Sequence, residues 1–202
     1  MTLRAAQRDR ATKETRISVS VVVDGSGSAD VSTGIPFFDH MLSQLGKHSG
    51  MDLRIHCAGD LEIDTHHTIE DVGIALGEAL REALGDKAGV RRFASIVVPL
   101  DEALIDVAVD LSGRPFLAYE LDPSGGTGQT FLLGEPGFDP QLTEEFWRAF
   151  VMASMITLHI RMRAGKNTHH ILEASFKAVA RALRDAVRVE SPGVVPSTKG
   201  VL

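Results

Sequence analysis

The stretch His66-His67-Thr68-Ile69-Glu70-Asp71-Val72-Gly73-Ile74-Ala75-Leu76-Gly77-Glu78-Ala79-Leu80-Arg81-Glu82-Ala83-Leu84 decides the fold, because the chain carries it twice. Laid over residues 169–187 at an offset of 103, it matches at 8 of 19 positions, including both His-His pairs and Glu70 with Glu173. Ile69, Val72, Leu76, Ala79, Leu80 and Ala83 recur at helical spacing, so each copy predicts an amphipathic helix, and Gly85 supplies a stop after the first. Two amphipathic helices share alanines and leucines by coincidence. A shared His-His-x-x-Glu is poorly explained that way. Further upstream an offset of 105 pairs His40 with Glu145, Leu45 with Phe150, Leu53 with Leu158 and Ile55 with Ile160, so the chain reads as a duplication.

Outward from the repeat, Ile17, Val19, Val21 and Val23 alternate with smaller or polar residues, and Asp24-Gly25-Ser26-Gly27 supplies turn chemistry before residues 29–31. That pattern predicts a hairpin. Pro36 suits the first turn of a helix over 37–47, ended by Gly50. Residues 53–57 and 61–63 read as short strands. A second strand group follows at 93–100, 103–109 and 115–121, then a glycine-rich loop over 123–137. Residues 142–154 predict a helix, 156–162 a strand and 168–187 a helix, while the tail from Ser191 carries two prolines and is not helical. The expected fold is α+β, internally duplicated over 1–88 and 89–202, each half a two-layer unit with helices on one face of its sheet.

The totals bound the function. With 202 residues, 44% hydrophobic and 24% charged, the chain has enough apolar material for an ordinary globular core. A net charge of -6 argues against a nucleic-acid partner, which would require a clustered positive face. The lone Cys57 can form neither an internal disulfide nor a thiolate metal site. The charged N-terminal stretch lacks the apolar run of a secretory signal and no later run reaches membrane-spanning length, so the expectation is a cytoplasmic protein with no membrane partner.

The histidines carry the chemistry. Positions three or four apart share a helix face, so Glu70 lies near His66 and His67, and Glu173 near His169 and His170. Adjacent histidines diverge by about 100° and serve two different ions better than one. Imidazole and carboxylate donors without thiolate suit manganese, iron or zinc, and the carboxylates favour manganese. An isolated His-His pair would read as a cap or solvated surface; its repetition favours metal binding. Glu145, the repeat partner of His40, is open to two readings: a carboxylate ligand in place of imidazole, or an ordinary acidic first turn. Arg91-Arg92, Arg114 and the Ser197-Thr198-Lys199 tail supply groups that can hold a phosphate, although any single arginine reads as surface charge. Lys166 and Lys177 read as solvent-facing. No Walker loop, dinucleotide fingerprint or nucleophile elbow is present.

Five segments in order resemble the imidazoleglycerol-phosphate dehydratase family: Lys13-Glu14-Thr15-Arg16-Ile17, Gly34-Ile35-Pro36-Phe37-Phe38-Asp39-His40-Met41-Leu42, the His66–Glu70 motif with Asp71, Asp110-Leu111-Ser112-Gly113-Arg114-Pro115, and the run from Ala164 through Glu173 to Ala174; Pro196-Ser197-Thr198-Lys199-Gly200 closes the match. The resemblance implies dehydration of imidazole glycerol phosphate to imidazole acetol phosphate, halves like the second domain of ribosomal protein S5, two manganese ions per active site, and a homo-oligomer of 24 subunits with active sites between chains. It implies His40, His66, His67, Glu70, His169, His170 and Glu173 as metal ligands. Glu14, Gln44, His48, Arg92, Arg114, Lys177, Ser197, Thr198 and Lys199 fall in its substrate-binding segments, together with the ligands themselves. The one departure is Glu145, where the family carries a histidine ligand. A metal-bound ring is expected to become an electron source that expels the neighbouring hydroxyl, with Glu14 or Glu173 transferring the carbon-bound proton. From the residues alone, a metal-dependent phosphatase and a non-catalytic, metal-clamped assembly protein remain alternatives. Release of inorganic phosphate would distinguish the first, and absence of turnover the second.

Overall fold

The computed structural model describes residues 3–200 and 202, so Met1 and Thr2 of the charged leading stretch lie outside it. The first half runs β1 (Ala5–Ala11), β2 (Thr15–Val22), β3 (Ala29–Ser32), α1 (Pro36–Ser49), β4 (Asp52–Gly59) and α2 (His66–Leu84). The second repeats it as β5 (Phe93–Leu100), β6 (Ala103–Asp110), β7 (Phe116–Glu120), α3 (Leu142–Ser154), β8 (Thr157–Ala164) and α4 (Thr168–Ala186). The sheets have the matching orders β1-β2-β4-β3 and β5-β6-β8-β7. The register also repeats: Ala5 faces Val22 and Phe93 faces Asp110, an offset of 88 on both strands.

Two expectations are corrected and one strand is added. The stretch 17–31 is not a hairpin, because β2 pairs with β1 and β4, while β3 runs parallel to β4 across the α1 crossover. The turn residues serve another partner: the Ser26 and Ser28 amides donate to Asp52 Oδ1 at 2.8 and 2.9 Å, tying the turn to the start of β4. Residues 61–63 form a turn, closed by the Ile63 amide donating to the Asp60 carbonyl at 2.8 Å. Strand β1 has no apolar alternation to announce it. Its inward Arg8 and Arg10 instead pair with Glu82 and Asp71 of α2. Pro99 sits in β5, an edge strand, where a missing N–H costs no ladder bond.

Helix starts and stops follow local chemistry. Pro36 occupies the first turn of α1, and Gly50 ends it at φ 76° with its amide on the Gly46 carbonyl. Met155 adopts the same left-handed conformation, φ 57°, after α3. Asn167 caps α4 by accepting from the His170 amide, while the Thr65 side chain makes no cap bond to α2 and Asp64, one residue earlier, accepts from the His66 amide at 2.7 Å.

Inward residues of the central strands are apolar and buried: Ile17, Val19 and Val21 on β2, Ile105, Val107 and Val109 on β6. Each sheet packs on its own half's helices, and the helices then pack across halves, α2 on α3 and α1 on α4. Val21, Leu45, Leu76, Leu80, Phe150 and Leu183 meet where all four helices converge. The α2–α3 approach depends on glycine. A Cβ at Gly73 would lie 2.8 Å from the Phe146 carbonyl oxygen, and one at Gly77 2.6 Å from that of Phe150. Both cross-packed pairs run in the same direction, so their N-terminal ends lie together. Gly77→Val is therefore expected to destabilise the protein by about 3 kcal/mol, far more than the gain in helix propensity of under about 1 kcal/mol. Thermal unfolding checks this, and an unchanged Tm would contradict the close approach.

Candidate active site

His40, Gln44 and His48 lie four residues apart on α1, facing a stripe of His169, Glu173 and Lys177 on α4. Glu173 is where the stripes meet. Its Oε2 lies 3.2 Å from His40 Nε2 and 2.9 Å from His169 Nε2, and its Oε1 lies 2.5 Å from Lys177 Nζ. One ligand atom from each of His40, His169 and Glu173 falls within 4.8 Å of the others. Burial alone would push the Glu173 carboxyl up, but hydrogen bonds from Lys177, His169 and His40 overcome it and hold the group at about 2. Lys177 is thus not solvent-facing, as the sequence had suggested. His48 shares a 3.1 Å hydrogen bond with Gln44, and burial together with the charges of Lys177 and Arg181 pushes its imidazole down.

The other helix pair repeats this arrangement more loosely. His66 Nε2 lies 4.0 Å from Glu70 Oε2, and Glu145 of α3 lines the same cavity as His66, about 620 Å³ in volume. The Glu145 carboxylate lies 3.7 Å from Arg148 Nε. Glu145, His66 and Glu70 stand where the duplication puts His40, His169 and Glu173.

The second histidine of each pair points elsewhere. His67 Nδ1 lies 3.0 Å from Asp60 Oδ2, and its Nε2 lies 3.9 Å from Glu14 Oε1. His170 Nδ1 lies 2.8 Å from Glu102 Oε2, and its Nε2 3.6 Å from Asp101 Oδ2. The Asp60 and Glu102 bonds raise the two imidazoles, while His170 and the Asn167 amide hold the Glu102 carboxyl at about 2. Sequence reading missed Asp60, Asp101 and Glu102. The hairpin offset of 88, which puts Glu102 in register with Glu14, was the available signal.

Arg92, Arg114, Ser197, Thr198 and Lys199 gather elsewhere, around a cavity of about 630 Å³. Arg92 adopts φ 75°, a conformation that costs a non-glycine residue about 1–3 kcal/mol. It is held there by Asp110, 2.7 Å from Nε, and by the Pro196 carbonyl, 2.8 Å from Nη1. Lys87, also missed, is buried against the Gly113 turn beside this cavity, and burial lowers its ammonium. The Arg92 amide donates to the carbonyl of Ala186, the last residue of α4, whereas His169 opens that helix. At 1.5 Å rise per residue the two clusters are about 25 Å apart within one chain.

The donor set fits a divalent cation of the hard or borderline kind: imidazole Nε2 atoms beside carboxylates, with no thiolate among them. Cys57 stands apart, and burial pushes its thiol up to about 11. Fold and site together define a duplicated α+β protein with paired imidazole–carboxylate centres. The imidazoleglycerol-phosphate dehydratase family model matches residues 33–183. The imidazoleglycerol-phosphate dehydratase of Acidothermus cellulolyticus is 56% identical over 199 residues, 98% of this chain and 93% of that one, and the Jannaschia enzyme is 51% identical over 99% and 100%. The crystal structure of the Staphylococcus aureus enzyme superposes with a TM-score of 0.77 at 37% identity, covering 92% of this chain and 99% of that one. That of the Pyrococcus furiosus enzyme, in complex with (S)-C348, gives 0.78 at 38%, covering 96% and 100%. The chain belongs to the imidazoleglycerol-phosphate dehydratase family, hydro-lyases of histidine biosynthesis.

Since so little of the Cys57 thiol ionises, alkylation of the native protein near pH 8 should run at least about a hundredfold slower than that of free cysteine and accelerate on unfolding. A native rate close to the free thiol's would contradict the burial described.

Proposed function

We propose that the chain dehydrates imidazole glycerol phosphate to imidazole acetol phosphate with two manganese ions per active site, in a cytoplasmic homo-oligomer whose sites are shared between chains. The observation that carries this is the convergence of His40 Nε2, His169 Nε2 and a Glu173 carboxylate oxygen, with the duplicated His66, Glu70 and Glu145 at the other helix pair. His40, His169 and Glu173 would hold ions together with His66, His67, Glu70, Glu145 and His170. Bound manganese supplies Lewis-acid polarisation of the imidazole ring and the leaving hydroxyl.

The chain's own groups do the rest. Lys177 keeps Glu173 ionised against its burial, preserving a carboxylate donor. Both Glu173 oxygens are engaged by neighbours, whereas Glu14 is half exposed and 3.9 Å from the His67 ring. That contrast favours Glu14 over Glu173 for moving the carbon-bound proton. Arg92, Arg114, Ser197, Thr198 and Lys199 offer forked and hydroxyl donors suited to the phosphate, and Gln44, His48 and Lys177 continue the stripes of α1 and α4 that carry His40, His169 and Glu173.

A three-carbon chain between ring and phosphate reaches at most about 10 Å, well short of the distance from Arg92 to His169. One substrate therefore draws its metal centre and its phosphate site from different chains. The exposed Phe93, Val97 and Phe116 on the outer face of the second sheet offer apolar surface for such neighbours. A 24-subunit assembly fits this requirement by resemblance to the family. A lone, half-buried thiol fits a cytoplasmic setting, and no helix among the described residues is long and apolar enough to cross a membrane.

Chelator should abolish ketone formation from imidazole glycerol phosphate, and manganese should restore it. Full activity in metal-free protein would overturn the metal reading, and release of inorganic phosphate in place of ketone would make the protein a phosphatase. Sharing of sites has its own test. His169→Ala and Arg114→Ala are each expected to be inactive, while co-assembled from a one-to-one mixture they should recover about a quarter of native activity, the fraction of sites receiving both intact parts. A mixture as inactive as either variant alone would contradict sites built between chains.

A further inference from the structure

The two halves treat the second histidine of each pair differently, and the difference originates in loop length. From the end of β8 to His169 the chain is two residues shorter than from the end of β4 to His66, which is why the repeat offset falls from 105 on the strands to 103 on the helices. In the longer loop Asp60 reaches His67 Nδ1 at 3.0 Å. The shorter loop has glycine, Gly165, in register with Asp60, and the carboxylate on His170 Nδ1 comes instead from Glu102, in the turn joining β5 to β6, at 2.8 Å. Glu102 is the register equivalent of Glu14 in the turn joining β1 to β2. In the second half, then, the hairpin glutamate holds the ring. In the first half Asp60 holds it, and the hairpin glutamate stands on the Nε2 side of His67 at 3.9 Å.

We propose that Asp60 and Glu102 are positioning residues that accept the Nδ1–H of His67 and His170, fixing the tautomer and ring angle in which Nε2 faces a divalent cation, and that Asp60 thereby frees Glu14 to face the substrate. The physical reason is that an imidazole whose Nδ1–H is bonded to a carboxylate has its Nε2 lone pair available, is more basic there, and loses no rotational freedom when the ion binds. Glu102 is itself anchored, because its other carboxylate oxygen accepts from the Lys166 and Asn167 amides at 3.1 and 2.8 Å. Asp60 hydrogen-bonds His67 alone through its side chain among the described residues, which makes it the cleaner position to change.

The inference rests on the metal reading above, and its test separates the two. The full-length protein is loaded with manganese and challenged with graded chelator, and the metal retained per chain is measured. Asp60→Asn and Glu102→Gln should each release one class of manganese at about 10–100-fold lower chelator, while Asp60→Glu and Glu102→Asp recover affinity at least in part. Glu14→Gln should lose turnover yet retain manganese as tightly as the native protein. Thermal unfolding in excess manganese verifies that each variant is folded, and if Glu102→Gln is not, Asp60→Asn alone decides. Native protein that retains no manganese would overturn the functional reading and this one with it. Native protein that holds manganese, with Asp60→Asn holding it equally well, would overturn the positioning role alone.

Discussion

The contact between α1 and α4, one helix from each half, is the constraint on which the site depends. Neither half by itself contains His40, His169 and Glu173: the first comes from one copy of the repeat and the other two from the second. Their meeting requires the halves to pack helix against helix, with the sheets outside and the N-terminal ends of paired helices side by side. Gly73 and Gly77 enforce that packing on the α2–α3 side by letting backbone approach backbone. A buried carboxylate with two imidazoles and an ammonium around it would be costly as a structural element alone, which is the reason it is proposed above as a ligand site.

The elements easiest to read in the sequence were those whose stability is carried by a periodic apolar face. The helices α2, α3 and α4, and the strands β5 and β6, follow from spacing alone because their inward positions are filled mainly by aliphatic residues, with Phe146, Trp147 and Phe150 on α3 and Phe176 on α4. Strand β1 was illegible for the opposite reason, since its inward face is Ala6, Arg8 and Arg10 and is satisfied by ion pairs to a helix some sixty residues away. The misread hairpin has a topological cause: β3 owes its place to the crossover through α1, which no local turn signal encodes. In the site, His-His-x-x-Glu was visible because a helix brings it together locally. Asp60 and Glu102 were not, because a loop and a hairpin deliver them from elsewhere in the chain.

Duplication has left the two centres related but unequal. Glu145 stands where the first half has His40, the His66–Glu70 spacing is wider than that of His169 and Glu173, and the second histidines take their carboxylates from different structures. The Glu145 replacement changes the charge at one centre, and the other departures change a spacing and the source of a carboxylate, while the scaffold stays intact. On the proposed reading the two ions would have distinct tasks, one centre being enclosed by Glu173 and Lys177 and the other opening on a cavity of about 620 Å³.

The most direct test is a crystal structure of manganese-loaded protein with anomalous diffraction recorded at the manganese edge. Two peaks per active site are predicted, bonded to Nε2 of the histidines, with His40, His169 and Glu173 from one chain and His66, Glu70 and Glu145 from a neighbour, and with Arg92 and Arg114 of an adjacent chain facing the cleft. Anomalous density absent from these groups, or histidine pairs directed apart at every contact between chains, would contradict the account.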